Sequence, residues 1–128
     1  MRRVLSTPNA PQAIGPYSQG IIAQGTLLFT AGQIAMDPET GNVIGVEIRE
    51  QTRRVLDNLK EIVEAAGSSL EQVVKTTVFL QSMDDFAAMN EIYSEYFGEN
   101  PPARSAIEVA RLPKNVFVEI ECVALIND

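Results

Sequence analysis

The spacing of apolar residues changes several times along the chain, and each change marks a predicted element. Ser18 to Ile22 and TLLFTAGQIA, Thr26 to Ala35, form two short apolar runs, so a strand pair joined at Ala23-Gln24-Gly25 is expected. DPETGN, Asp37 to Asn42, carries Pro and Gly at turn positions and predicts an exposed loop. Val43-Ile44 after it suits a short edge strand. From Ile48 the period becomes helical: Ile48, Val55, Leu56, Leu59, Ile62, Val63 and Ala66 share a face, and Gly67 is a natural stop. Arg53, Arg54, Asp57, Lys60, Glu61 and Glu64 occupy the solvated side. VVKTTVFLQ, Val73 to Gln81, is β-branched and predicts a strand. Ser82 has the character of an N-cap, with Asp84 and Asp85 where the helix dipole favours acids. The second helix should run to about Phe97 and end at Gly98. Two strands, in PPARSAIEVARLPKNVFVEIECVAL, complete the order. With no repeat or linker, residues 1–128 form a single domain of the α+β class, with both helices on one sheet face.

Those last strands carry charge where burial is expected. Side chains alternate along a strand, so Val116, Val118, Ile120, Cys122, Ala124 and Ile126 form a wholly apolar face, assigned to the helix layer. Asn115, Phe117, Glu119, Glu121, Val123 and Leu125 form the other. In the preceding strand Ser105, Ile107 and Val109 form the apolar set, which leaves Arg104, Ala106, Glu108 and Ala110 opposite. Arg104 and Glu119 are therefore both expected on the face away from the helices. A hairpin pairing Arg111 with Val116 sets Glu119 against Glu108 and keeps Arg104 roughly 13 Å from Glu119's level. Either these strands are not neighbours, or a partner chain covers the face. Phe117, Val123 and Leu125 on it also argue for burial by another subunit.

Composition narrows the chemistry. The chain has 128 residues, 45% of them hydrophobic, enough to bury roughly 65–70% of the unfolded surface in a core without staples. Cys122 is alone, which excludes an internal disulfide or a cysteine-based zinc site and fits a reducing cytoplasm. There is no histidine, so Ser-His and Cys-His pairs are excluded and Ser18 and Ser105 are not credible nucleophiles. A net charge of −7 and a pI near 4.6 disfavour nucleic acid as the main partner. The start, MRRVLSTPNAPQ, lacks the apolar run of a secretory leader, and no stretch has the apolar length of a membrane span.

The segments IGPYSQG (Ile14 to Gly20), FTAGQIA (Phe29 to Ala35), VKTTVFL (Val74 to Leu80), PARSAIEVARLPK (Pro102 to Lys114) and VEIECVA (Val118 to Ala124) resemble, in order, the RidA/YjgF family of imine and enamine deaminases. The resemblance implies a chorismate-mutase-like fold: a mixed six-stranded sheet with two helices on one face, the last strand inserted within it. It also implies a homotrimer around a central barrel, with active sites between subunits. The implied reaction converts 2-iminobutanoate, 2-iminopropanoate or the enamine 2-aminoacrylate to a 2-oxo acid and ammonia, without cofactor or metal. Arg104 would clamp the substrate carboxylate, a role suited to a planar guanidinium. Glu119 would orient and deprotonate the attacking water. Tyr17 matches a position in the same cleft and joins Arg104 and Glu119 as a catalytic candidate. Thr30, Gly32, Asn90 and Phe86, one turn before Asn90, would bind substrate there, and Ala106 would contribute mainly backbone contacts. Two departures stand out: Ala106 where many members have Cys, and Thr30 where serine is common.

Each of these residues also has a plainer reading. Arg104 taken alone is a common kind of interface ion-pair residue, and Glu119 and Glu121 are acids that pair across subunits. In that reading Tyr17 packs, Gly32 allows a bulge, Asn90 is a satisfied buried amide, and Cys122 is a small buried hydrophobe. Two other functions compete with the deaminase: a trimeric protein that binds 2-oxo acids or similar carboxylates without turnover, and an endoribonuclease.

Overall fold

The computed structural model describes residues 1–126, and these contain six strands and two α-helices. The strands are β1 (Arg2–Leu5), β2 (Gly20–Ala23), β3 (Thr26–Phe29), β4 (Val73–Leu80), β5 (Ala103–Glu108) and β6 (Val118–Ile126). The helices are α1 (Ile48–Ala65) and α2 (Phe86–Phe97). Four strands form one mixed sheet in the order β3-β6-β4-β5, and β1 and β2 form a separate antiparallel ladder. The six strands are thus divided between two sheets and do not make the single six-stranded one expected. β6 is inserted between β3 and β4, antiparallel to both, while β5 runs parallel to β4 at the edge. The alternative that the last two strands are not neighbours therefore holds, and the Glu108–Glu119 opposition does not arise.

Three local expectations are corrected. β2 does not pair with β3. The backbones of Gln24 and Met1 bond in both directions at 2.9 Å, so the chain start takes the ladder positions of β2 and β3 pairs with β6. A four-residue strand containing Arg2 and Arg3 has too little apolar pattern to announce itself. Second, Val43-Ile44 supplies only a bridge from Val43 to Met36 and an Ile44 amide bond to Ala35.

The third correction concerns Arg104. Arg104 pairs with Thr76 and Ala106 with Val78, and Thr76 and Val78 lie on the buried, helix-covered face. Arg104, Ala106 and Glu108 thus share the helix side, and Ser105 and Ile107 face the other way, Ile107 being 47% exposed. Glu119, paired with Phe79, does lie on the face away from the helices. The apolar set of β5 misleads because β5 is an edge strand: its helix side meets a polar and aromatic stripe of α2, not the aliphatic core.

The core lies between the helices and the inner face of the sheet. Val55, Leu56, Leu59 and Val63 of α1 and Met89, Ile92 and Tyr93 of α2 pack on Val78, Leu80, Val118, Ile120 and Ala124. The Glu47 carboxylate caps α1 by accepting from the amides of Arg49 and Glu50, and Ser82 caps the short 3-10 turn that leads into α2. The far face of the sheet carries Leu27, Phe29 and Ile107, with Phe29 71% exposed. Among the described residues no helix is long and apolar enough to cross a membrane.

Candidate functional site

The unit β4-α2-β5 is a parallel crossover, so α2 lies over the two strands that it connects. That connection explains the first group of site residues. Phe86, Asn90 and Tyr93 recur at helical spacing on the inward stripe of α2 and meet Arg104 on the neighbouring edge strand. The Arg104 Nη1 donates to Asn90 Oδ1 at 2.7 Å. Its guanidinium carbon stands 4.9 Å from the Tyr93 ring centre, 5.4 Å from Tyr17 and 5.5 Å from Phe86, all within cation–π range. Among the described residues no carboxylate lies within salt-bridge distance of Arg104. Burial lowers its pKa from the usual value, against the electrostatic pull of Tyr93 and Tyr17, but a guanidinium stays charged in proteins. The result is a half-buried cation held by an amide and three rings, with most of its donors unspent. Ala106 lies two residues along the same face, half-buried.

Tyr93 and Thr76 were not legible as site residues in the sequence. Tyr93 is fully buried, and its hydroxyl shares a 2.7 Å hydrogen bond with Thr76, the ladder partner of Arg104. Burial pushes the Tyr93 phenol up to about 12. Its place on the Phe86–Asn90 stripe was the available signal, but a tyrosine there is equally a core residue.

The second group lies at the other side of the sheet. Between the Phe29–Val123 and Gln33–Ile120 pairs, the first chain takes four steps where β6 takes three, so Thr30–Gly32 contains a β-bulge. The Thr30 amide donates to Cys122 O and its hydroxyl accepts from Cys122 N at 3.0 Å, which replaces ladder bonds at the bulge. Gly32 lies beneath Glu119: a Cβ on it would stand 2.8 Å from the Glu119 carboxyl carbon. Cys122 is buried, and desolvation pushes its thiol up to about 11, well away from a reactive thiolate.

Tyr17, Phe86, Asn90 and Arg104 are thus brought together, and Gly32 and Glu119 are brought together, with Thr30 in the same bulge. The two groups are not joined within one chain. Arg104 is level with Thr76, and Glu119 with Phe79, three residues along, on the opposite face and two strands away. That is roughly 10 Å in each in-plane direction. A cleft of about 680 Å³ between the 32–41 loop and α1, lined by Gly32, Gln33, Arg54 and Asn58, does not include Arg104.

The sequence and fold have close counterparts. The family model described as Endoribonuclease L-PSP matches residues 7–126. A RutC family protein of Pyrococcus horikoshii is 59% identical over 124 residues, 97% of this chain and 98% of that protein. The human 2-iminobutanoate/2-iminopropanoate deaminase is 48% identical over 125 residues, 98% of this chain and 90% of that protein. The crystal structure of Escherichia coli TdcF with bound serine superposes with a TM-score of 0.75 at 44% identity, covering 98% of this chain and 99% of that one. With its two-helix, inserted-strand architecture and these relatives along nearly its whole length, the chain belongs to the Endoribonuclease L-PSP family, also known as RidA/YjgF.

Proposed function

We propose that this protein is a cofactor-independent deaminase of 2-imino and enamine acids, working as a cyclic trimer with its sites between subunits. The observation that carries this reading is Arg104: a half-buried guanidinium with no carboxylate partner among the described residues and an open set of donors. Such a group is a receptor for a substrate carboxylate. The naming of 48% identical relatives as deaminases supports the same chemistry.

In the proposed reaction Arg104 binds the carboxylate, with Tyr17, Phe86 and Asn90 as its walls. Glu119, supplied across a subunit boundary, takes a proton from water as the oxygen adds to the C=N carbon. The bound imine is protonated, so addition gives a neutral carbinolamine. Glu119 returns its proton to the amino nitrogen, and as the C–N bond breaks the hydroxyl loses its proton to water, leaving ammonia and the 2-oxo acid. Thr30, Gly32 and Ala106 shape the same cleft. The separation of the two residue groups within one chain supports head-to-tail association, in which the Arg104 side of one copy faces the Glu119 side of the next and a ring closes. The uncovered Leu27, Phe29 and Ile107 face is the surface such a ring would bury. The net charge of −7 speaks against RNA as substrate.

The test follows imine decay when an amino-acid dehydratase generates 2-aminoacrylate in the presence of the protein. Accelerated decay is expected, with Arg104→Ala losing it and Glu119→Gln losing ~10²–10⁴-fold in rate while still binding a 2-oxo acid. If decay is unaffected by wild-type protein, the deaminase reading is wrong. If Glu119→Gln loses nothing, the carboxylate-binding alternative replaces it. Sedimentation showing only monomers at assay concentration removes the shared cleft.

A further inference from the structure

The wall over Arg104 belongs to a segment that the rest of the fold hardly touches. Residues 6–15 lie outside every strand and helix; all are exposed except Thr7, which is half-buried, and Ile14 is 94% exposed. An exposed strap of this kind has little apolar burial to hold it in one conformation. Its end nevertheless reaches the proposed carboxylate receptor. The Tyr17 ring stands 5.4 Å from the guanidinium carbon, and a Cβ on Gly15 would stand 3.5 Å from Arg104 Nη2, so the backbone passes close to the cation. The Ile14 amide donates to the Tyr17 hydroxyl at 3.3 Å, and the Tyr17 amide to Gly15 O at 2.8 Å, which ties strap and ring together.

Gln19 makes more side-chain hydrogen bonds to this strap than any other residue. The Gln19 Oε1 accepts from the Thr7 amide at 2.7 Å. Its Nε2 lies within donating reach of the carbonyls of Thr7 at 3.2 Å, Ala10 at 3.3 Å and Pro11 at 2.6 Å. Beside it, Ser18 anchors the other end, its amide donating to Pro102 O at 3.1 Å and its hydroxyl to Pro101 O, just before the strand that carries Arg104. Ser18 joins the strap to β5, and Gln19 folds the strap over it. A glutamine is suited to this task because one amide both accepts from a backbone N–H and donates to carbonyls.

We infer that Gln19 is a positioning residue: it keeps the 7–15 strap closed, so that Gly15 and Tyr17 form the outer wall of the Arg104 carboxylate site. The inference rests on the reading of Arg104 as that site and adds a residue remote from the chemistry. Closure then gates affinity. A strap closed a tenth of the time weakens binding about tenfold, because apparent affinity scales with the competent fraction.

The experiment measures three quantities in wild type, Gln19→Ala and Gln19→Glu: the Kd for 2-oxobutanoate by calorimetry, KM and kcat for imine hydrolysis, and amide exchange at Thr7 and Asn9. Gln19→Glu keeps the acceptor for Thr7 N but sets a carboxylate against the carbonyl oxygens, and so serves as the second variant if the first folds poorly. Faster exchange, with Kd and KM rising about tenfold together and kcat within about twofold, is expected for both. Faster exchange with unchanged Kd and KM overturns the inference and leaves the deaminase reading intact. Unchanged exchange overturns it as well. A wild type that neither binds 2-oxobutanoate nor hydrolyses imine overturns the reading of Arg104, and the inference with it.

Discussion

Gly32 lies under a carboxylate rather than in a special backbone conformation. Its φ is outside the left-handed region, so alanine suits the backbone, but the new methyl would meet Glu119 at its carboxyl and Cγ atoms. With Glu119 as the proposed base, Gly32→Ala should therefore fold normally and lose about 10²-fold of the proposed turnover, the usual effect of a misplaced group, with Tm the control. Thr76 shows the opposite case, a residue whose partner is wholly buried. Thr76→Val leaves the Tyr93 hydroxyl unpaired and should cost about 1–3 kcal/mol, whereas the pair Thr76→Val with Tyr93→Phe should be nearly neutral. Urea midpoints for the two single variants and the double variant, at one protein concentration, check this. Thr30, Cys122, Thr76, the Tyr93 hydroxyl and Arg104 place a polar row across an otherwise aliphatic inner face. Such a row is tolerated because its members bond one another in part and because it ends at an edge strand.

At the scale of elements, α1 contributes the most regular surface. Its apolar positions bury Val55, Leu56, Leu59 and Val63 completely, while Arg49 and Arg53 reach Glu91 and Glu95 of α2 in exposed ion pairs at 3.0 and 3.3 Å. Surface pairs of this kind contribute about 0–1 kcal/mol, so the helix is held by its buried stripe. Leu59→Ala should cost about 2–5 kcal/mol in chemical denaturation, and Arg53→Ala less than about 1 kcal/mol. The strands are less regular. β3 is interrupted by the Thr30–Gly32 bulge and β4 shifts register between Val73 and Lys75. The first irregularity is where the Glu119 group is assembled, in keeping with the habit of bulges to re-aim side chains near sites.

For the whole molecule, the absence of histidine removes the ordinary titration near neutrality, and the resolved shifts of its buried acids lie at alkaline pH. Burial moves the Cys122 thiol from 9.0 to about 11 and the Tyr93 phenol from 10.0 to about 12. The folded state keeps these protons at pH values where the unfolded chain releases them. The stability they contribute is therefore complete below pH 9 and declines as pH rises from about 9 to about 12. Urea midpoints measured against pH should fall across that window, and Cys122→Ala should lose the lower part of the decline.

Local spacing was enough to place both helices, their stops at Gly67 and Gly98, the strand at Val73–Leu80 and the apolar face of the last strand. Those features depend on residues within a few positions of one another, and a 3.6 or two-residue period records them directly. Arg104 and Glu119 stood out for the same reason, as charges in apolar strands. Which strand neighbours which was not recorded there: β1 pairing with β2 and β6 entering between β3 and β4 arise from contacts between distant segments, whereas the bulge read at Gly32 is present. The same holds for the side on which Arg104 projects. On an edge strand the apolar face need not be the covered one, so alternation names two faces without saying which meets the helices; that was settled when the crossover laid α2, with Phe86, Asn90 and Tyr93, over β5.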